Sequence, residues 1–291
     1  MTSKPRRKTT VRGRSTRKRG KTRKPWWRAT QPSFLTIAVV VLAVVGGAYA
    51  WPTVRERFGK PDSASSVPAI GQLPQAVPPA MAPPRTGGSG GSTGRAARLQ
   101  RPADVYAGWA RQLSAKVDIP AVALQAYAYA QVETARTIPR CKLSWTLLAG
   151  IGKVESNHGR YGGATLLADG TSRPRIIGVP LDGAPGLMTI ADTDGGRLDG
   201  DRTHDRAVGP LQFIPTTWAR SGADANRDGR RDPFNLNDAA LAAAGYLCAG
   251  GRDLTTSAGW TQAVLSYNHT VEYVRSVYGH ADRYARTSLA G

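Results

Sequence analysis

Acid–base chemistry needs a titratable group in a partly apolar setting, and one stretch offers it. Leu143 to Gly159, LSWTLLAGIGKVESNHG, carries a single carboxylate, Glu155. Leu147, Ile151 and Val154 fall at helical spacing, with Leu148, Gly152 and Glu155 as a parallel row one residue on. Glu155 therefore stands at the edge of a buried face. Asn157, His158 and Gly159 supply the stop signal, which puts Glu155 in the last turn. There the unpaired carbonyls disfavour a carboxylate, and partial burial acts in the same direction. Both hold a proton on the side chain, as a general acid requires. Gly150 and Gly152 leave bare backbone nearby for a bulky substrate. Taken alone, the segment also reads as a surface glutamate at a helix end.

Three further stretches carry polar chemistry. AVGPLQFIPTTW, Ala207 to Trp218, places the amide of Gln212 behind a Gly-Pro turn, or is simply a loop packed by Leu211, Phe213 and Trp218. DANRDGRRDPFN matches a calcium loop at Asp224, Asn226 and Asp228, with Gly229 at the turn, the Arg230 carbonyl at position seven and Asp232 at nine. Position twelve is Asn235 in place of a bidentate Glu, so the loop reads as a weak calcium site or as a metal-free Asx turn. AVLSYNHTVEY brings Tyr267, Asn268 and Tyr273 to a helix junction, where a ring and an amide can converge; His269 lies between them. The acidic run DTDGGRLDGD, with Asp192, Asp194, Asp199 and Asp201, fits no template and reads as solvated turns, a second ion site or a lid.

These residues need elements to hold them. Val105, Trp109, Leu113 and Val117 recur every fourth residue, AVALQAYAYAQVETART opens after Ile119-Pro120, and the Glu155 helix follows Ile138-Pro139. Beyond a Gly- and Asp-rich excursion over 160–209, helices are expected from Pro215 to Ala219, Asp238 to Cys248 (capped by Asn237 or Asp238), Gly259 to Tyr267 and Val271 to Tyr284. Alternating Val-rich segments are scarce, so the fold class is all-α with one long irregular loop region.

The net charge of +20 is unevenly placed. Residues 1–50 hold thirteen Lys or Arg and no acid, whereas residues 101–291 hold twenty-one against eighteen. A nearly neutral folded part argues against nucleic acid as a partner. Residues 1–33 read as a disordered basic cytoplasmic tail. Residues 34–52 read as a single N-terminal transmembrane helix, with Trp26, Trp27 and Trp51 at its borders, or as a cleaved signal peptide ending at Ala48-Tyr49-Ala50. Residues 53–102 form a Pro/Gly/Ser-rich linker and residues 103–287 the folded domain, outside the cell under either reading. In that setting Cys141 and Cys248 read as one disulfide closing a loop of roughly a hundred residues, worth about 2–4 kcal/mol, or as two buried thiols.

In their order, ESNHG, GPLQFIPTTW, DANRDGRRDPFNLNDAALAAAGYL and SYN resemble the lytic murein transglycosylases of the membrane-bound B type, most closely their actinobacterial branch. The resemblance covers roughly residues 103–285. It implies a lysozyme-like helical fold with a cleft for peptidoglycan glycan strands; no cofactor is required, and a structural calcium is one of the two readings of the Asp224 loop. It implies Glu155 as sole acid/base, Ser156 orienting the acetamido group of the sugar, and Gln212, Tyr267 and Asn268 lining the subsites. Tyr273 would stack on a sugar face, and Thr203 stands where relatives place a Ser. The calcium loop has a family counterpart and lacks its strongest ligand here. The implied reaction breaks the MurNAc–GlcNAc bond without water and leaves 1,6-anhydro ends. A hydrolytic muramidase and a non-catalytic wall-binding scaffold are the rivals.

Overall fold

The computed structural model describes Pro78 and residues 101–290. The basic tail, the apolar run at 34–52 and nearly all of the linker lie outside the described residues. Within them, no helix is long and apolar enough to cross a membrane.

The described chain is mainly helical. A 3-10 turn at Pro102–Tyr106 leads into α1 (Ala107–Val117), which ends where Asp118 takes a left-handed conformation at φ 53°. Pro120 then caps α2 (Ala121–Thr137), and Ile138-Pro139 stops it. The Ser144 hydroxyl accepts the Thr146 amide to start α3 (Trp145–Ser156). After the excursion come α4 (Pro215–Ser221), α5 (Leu236–Leu247), α6 (Ser257–Tyr267, capped by Thr256) and α7 (Val271–Leu289, capped by Thr270). The cap of α5 is Asn235, not Asn237 or Asp238: its Oδ1 accepts the Asn237 amide at 2.9 Å.

α3 lies at the centre, every residue from Trp145 to Ser156 buried except Lys153. Where α3 crosses α7 the backbones nearly touch: a Cβ on Gly150 would stand 2.7 Å from the Val277 carbonyl. α5 buries Ala239, Ala240, Ala242, Ala243 and Ala244 completely, and these small side chains let it press against the Ala-rich face of α2. Cys141 and Cys248 form the disulfide, tying the start of the α3 segment to the end of α5 across 107 residues.

The excursion holds two small antiparallel sheets. β1 (Thr165–Leu166) pairs with β2 (Ser172–Arg173), Leu166 opposite Ser172, and β3 (Ile177–Pro180) pairs with β4 (Arg206–Val208), Ile177 opposite Val208. Strands of two to four residues are too short to show alternation in a sequence, which is why the region reads as irregular.

Candidate active site

Glu155 is only 3% exposed, and the Tyr273 hydroxyl donates to its Oε1 at 2.7 Å. The two residues are 118 positions apart in the chain, on helices that meet at the Gly150 crossing. The Tyr273 ring lies parallel to that of Tyr267, centroids 6.5 Å apart and planes 4° apart. Tyr267 in turn donates to the Leu211 carbonyl at 2.8 Å and packs edge-on against Phe213 and Tyr246. The ring of Tyr267, stacked on Tyr273, also forms part of the wall of a cleft. Gln212, Tyr246, Tyr267 and Asn268 line it, with Met188 reaching in from the excursion.

Asn268 is 5% exposed, and its Oδ1 accepts the Thr270 amide at 3.1 Å and hydroxyl at 3.0 Å. Its Nδ2 is buried with no hydrogen-bond partner. An unmet buried donor costs about 1–3 kcal/mol, so a polar ligand in the cleft would relieve it. Gln212 sits at φ 51° in a tight turn closed by mutual backbone bonds between Val208 and Phe213. Its Nε2 donates to the Gly209 carbonyl at 2.9 Å, and its Oε1 lies beside Gly178. Gly209, at φ 78°, has no room for a Cβ against the Pro233 carbonyl.

Other expected residues stand elsewhere. Ser156 is fully buried, its hydroxyl donating to the Pro210 carbonyl at 2.6 Å and accepting the Gly159 amide at 2.7 Å. It staples the Gln212 turn to the end of α3, its one donor is spent there, and full burial keeps it from a sugar. Tyr273, 5% exposed, meets Glu155 and Tyr267 and shows no open ring face to a substrate. Thr203 is exposed on the acidic loop, its amide on Asp201 and its carbonyl on Asp192. The bare backbone expected at Gly150 and Gly152 is filled, by the Val277 carbonyl and the Tyr127 hydroxyl.

The calcium template folds as a loop closed on itself. Asp224 accepts the Asp228 and Gly229 amides, Asn226 the Asp228 amide, Asp228 the Arg230 amide and Asp232 the Phe234 amide. Asn235 is committed to the α5 cap. The carboxylate that the loop does surround is Asp238, fully buried, taking amides from Ala225, Asn226 and Asp232. Burial outweighs those three donors and pushes its pKa up to about 6. Among the described residues, the acidic groups close enough to share an ion are Asp192, Asp194 and Asp205. Asp192 takes three amides, Asp194 two, and Asp205 the amide and hydroxyl of Thr193. The side chains of the template loop are thus engaged by its own amides, with the Asn235 oxygen given to the cap of α5.

Sequence reasoning passed over Tyr246 and Met188, and took His158 only as part of a helix stop. Tyr246 and Met188 carry no local signal, because only the fold brings them to the cleft. His158 was legible as a histidine beside the candidate acid, but its environment was not.

No curated protein matches the chain. Among solved structures, SltB3 from Pseudomonas aeruginosa in complex with NAG-anhNAM-pentapeptide is similar at 19% identity, over 60% of this chain and 66% of that one, with a TM-score of 0.32. Residues 205–276, which hold Gln212, the Asp224 loop, Tyr267, Asn268 and Tyr273 but not Glu155, match the family of the transglycosylase SLT domain.

Proposed function

We propose that the protein is a peptidoglycan lytic transglycosylase acting through Glu155. The observation that carries the reading is a buried carboxylate, hydrogen-bonded to Tyr273, whose ring stacks on Tyr267, a wall of a cleft lined mostly by residues of the segment matching the transglycosylase SLT domain.

In this reading the proton of Glu155 passes to the glycosidic oxygen between N-acetylmuramic acid and N-acetylglucosamine. The C1–O bond breaks, and the acetamido carbonyl of the substrate stabilises the cationic centre. Glu155, now ionised and still bonded to Tyr273, takes the proton of the muramyl C6 hydroxyl. The C6 oxygen bonds to C1, which closes the 1,6-anhydro ring and returns the enzyme to its starting protonation. Water is not consumed, and one carboxylate serves where a hydrolase uses two. Asn268 Nδ2 supplies a polar contact, Gln212 lines the same cleft, and Tyr267 and Tyr246 supply ring surface for sugar faces.

Support for a single acid comes from what the other buried carboxylates do. Asp199 and Asp205 hold backbone amides of their own loop, and Asp238, in the first turn of α5, holds those of the 224–232 loop. A hydrolytic muramidase that drew its second carboxylate from these three would need one of them freed to activate water. Mass spectrometry of glycan strands digested by the full-length chain decides: anhydro-ended muropeptides are expected, and reducing ends alone would refute the reading. The proposed setting is extracytoplasmic, with the N-terminal apolar run as membrane anchor and the linker as tether. Calcium has no step in this mechanism.

A further inference from the structure

Behind Glu155 lies a polar chain that the reaction does not touch. His158, three residues beyond the acid and fully buried, places Nδ1 3.2 Å from the Tyr127 hydroxyl and Nε2 3.1 Å from the Tyr284 hydroxyl. The three come from α2, the end of α3 and α7. A neutral imidazole has one donor and one acceptor, which matches two hydroxyls on opposite sides of the ring. Burial, then the cations Arg160, Lys153 and Arg283 with His280, hold the His158 pKa well below the usual histidine value.

The backbone is shaped to make this chain. Asn157 and His158 both adopt left-handed conformations, φ 52° and 60°, which a non-glycine residue keeps only where its surroundings hold it there. The His158 amide closes the helix end on the Gly152 carbonyl at 2.8 Å. Gly152 itself is needed as glycine, because the Tyr127 hydroxyl fills the place of its Cβ on the way to His158. On the other side, Tyr273, Val277, Ala281 and Tyr284 form one buried stripe of α7. Tyr273 and Tyr284 stand eleven residues, three turns, apart on that stripe. Glu155 is gripped by the first and His158 by the second.

We propose that His158 is a positioning residue: by joining the end of α3 to Tyr284, it fixes the register in which Tyr273 meets Glu155. The catalytic consequence rests on the transglycosylase reading; the geometric one does not. With the His158–Tyr284 link cut, α3 and α7 keep their apolar contact at Gly150 but lose the second point that sets their rotation. The Tyr273–Glu155 bond then lengthens or misaligns, and proton transfer slows while the cleft still binds glycan.

His158→Phe would leave the buried Tyr127 hydroxyl unpaired and the Tyr284 hydroxyl with only a 3.5 Å contact from Arg283, which threatens folding, so the informative variant is Tyr284→Phe, which keeps the ring. It is measured in the full-length protein alone and combined with Tyr273→Phe. The expected result is a fall of about tenfold in kcat with KM within about twofold, and no further fall when Tyr284→Phe is added to Tyr273→Phe. A merely structural residue would give equal factors in both backgrounds, and that outcome overturns the proposal. A second readout needs no turnover. The chain has four glutamates, so carboxyl 13C labelling gives a simple spectrum in which Glu155→Gln identifies the Glu155 signal. That signal moves in Tyr284→Phe if the proposal holds and stays in place if it does not. A native chain that releases no anhydro-ended fragments defeats the transglycosylase reading, and the carboxyl signal still decides the positioning claim.

Discussion

The hydroxyl of Tyr273 reaches Glu155 across 2.7 Å from a helix that begins 115 residues after α3 ends. That bond orients a carboxylate that solvent hardly reaches, so the charge change during a reaction is handled by a fixed partner rather than by reorganising water. In Glu155→Gln the amide oxygen still accepts from Tyr273, and the fold should persist. Cleavage of isolated cell walls is expected to fall by about 10²–10⁴-fold, with the melting temperature changed by less than about 3 °C. Turbidity loss and calorimetry on the same sample check both.

Asn268 separates binding from chemistry. In Asn268→Asp the oxygen that serves Thr270 is kept and the unpartnered Nδ2 donor is removed. KM for soluble glycan fragments is expected to rise about tenfold, with kcat within about threefold, as for a contact made equally in ground and transition states. Steady-state kinetics would contradict the assignment if kcat alone fell.

Stability should decline as pH falls through the histidine range. His158 is held well below its ordinary pKa, and burial, with Arg283 and Lys153, holds His280 down to about 4. The unfolded chain takes up these protons near pH 6.5 and the folded chain does not. The stabilisation is therefore whole above pH 6.5 and is lost as pH falls from there towards the depressed folded values. Each histidine contributes a slope of about 1.4 kcal/mol per pH unit in that window. Urea unfolding of native protein and His280→Gln at pH 7, 6 and 5 should show the slope reduced by about one proton in the variant.

Gly152→Ala tests whether the gap beside Tyr127 matters. The new methyl group meets the Tyr127 hydroxyl, so the ring must leave His158 or α3 must shift. The loss expected is about 1–3 kcal/mol, despite the better helix propensity of alanine. Urea denaturation that finds the variant as stable as native protein would show the gap to be slack.

Replacing both Cys141 and Cys248 by Ala opens a loop of 107 residues and should lower unfolding free energy by about 2–4 kcal/mol. Chemical denaturation of the double variant beside reduced native protein checks it. Equal stability of the oxidised native protein and the variant would mean the bond constrains nothing the core does not already hold.

Apolar spacing and stop signals were enough to place the helices of the described domain, because burial of one face and the loss of backbone partners at helix ends are written locally. Glu155 was legible for the same reason, as the lone carboxylate on an apolar helix, and so was the cysteine pair. What a tertiary structure alone decides is which way a side chain turns when several directions are open to it. Ser156 follows Glu155 directly, yet its hydroxyl faces the Pro210 carbonyl. Tyr273 grips the acid instead of presenting a ring face, Asn235 caps α5 in place of closing an ion site, and Gly152 makes room for a tyrosine from α2. Each of these depends on a partner dozens of residues away or on competition for one hydrogen bond, and no local pattern records the outcome of either.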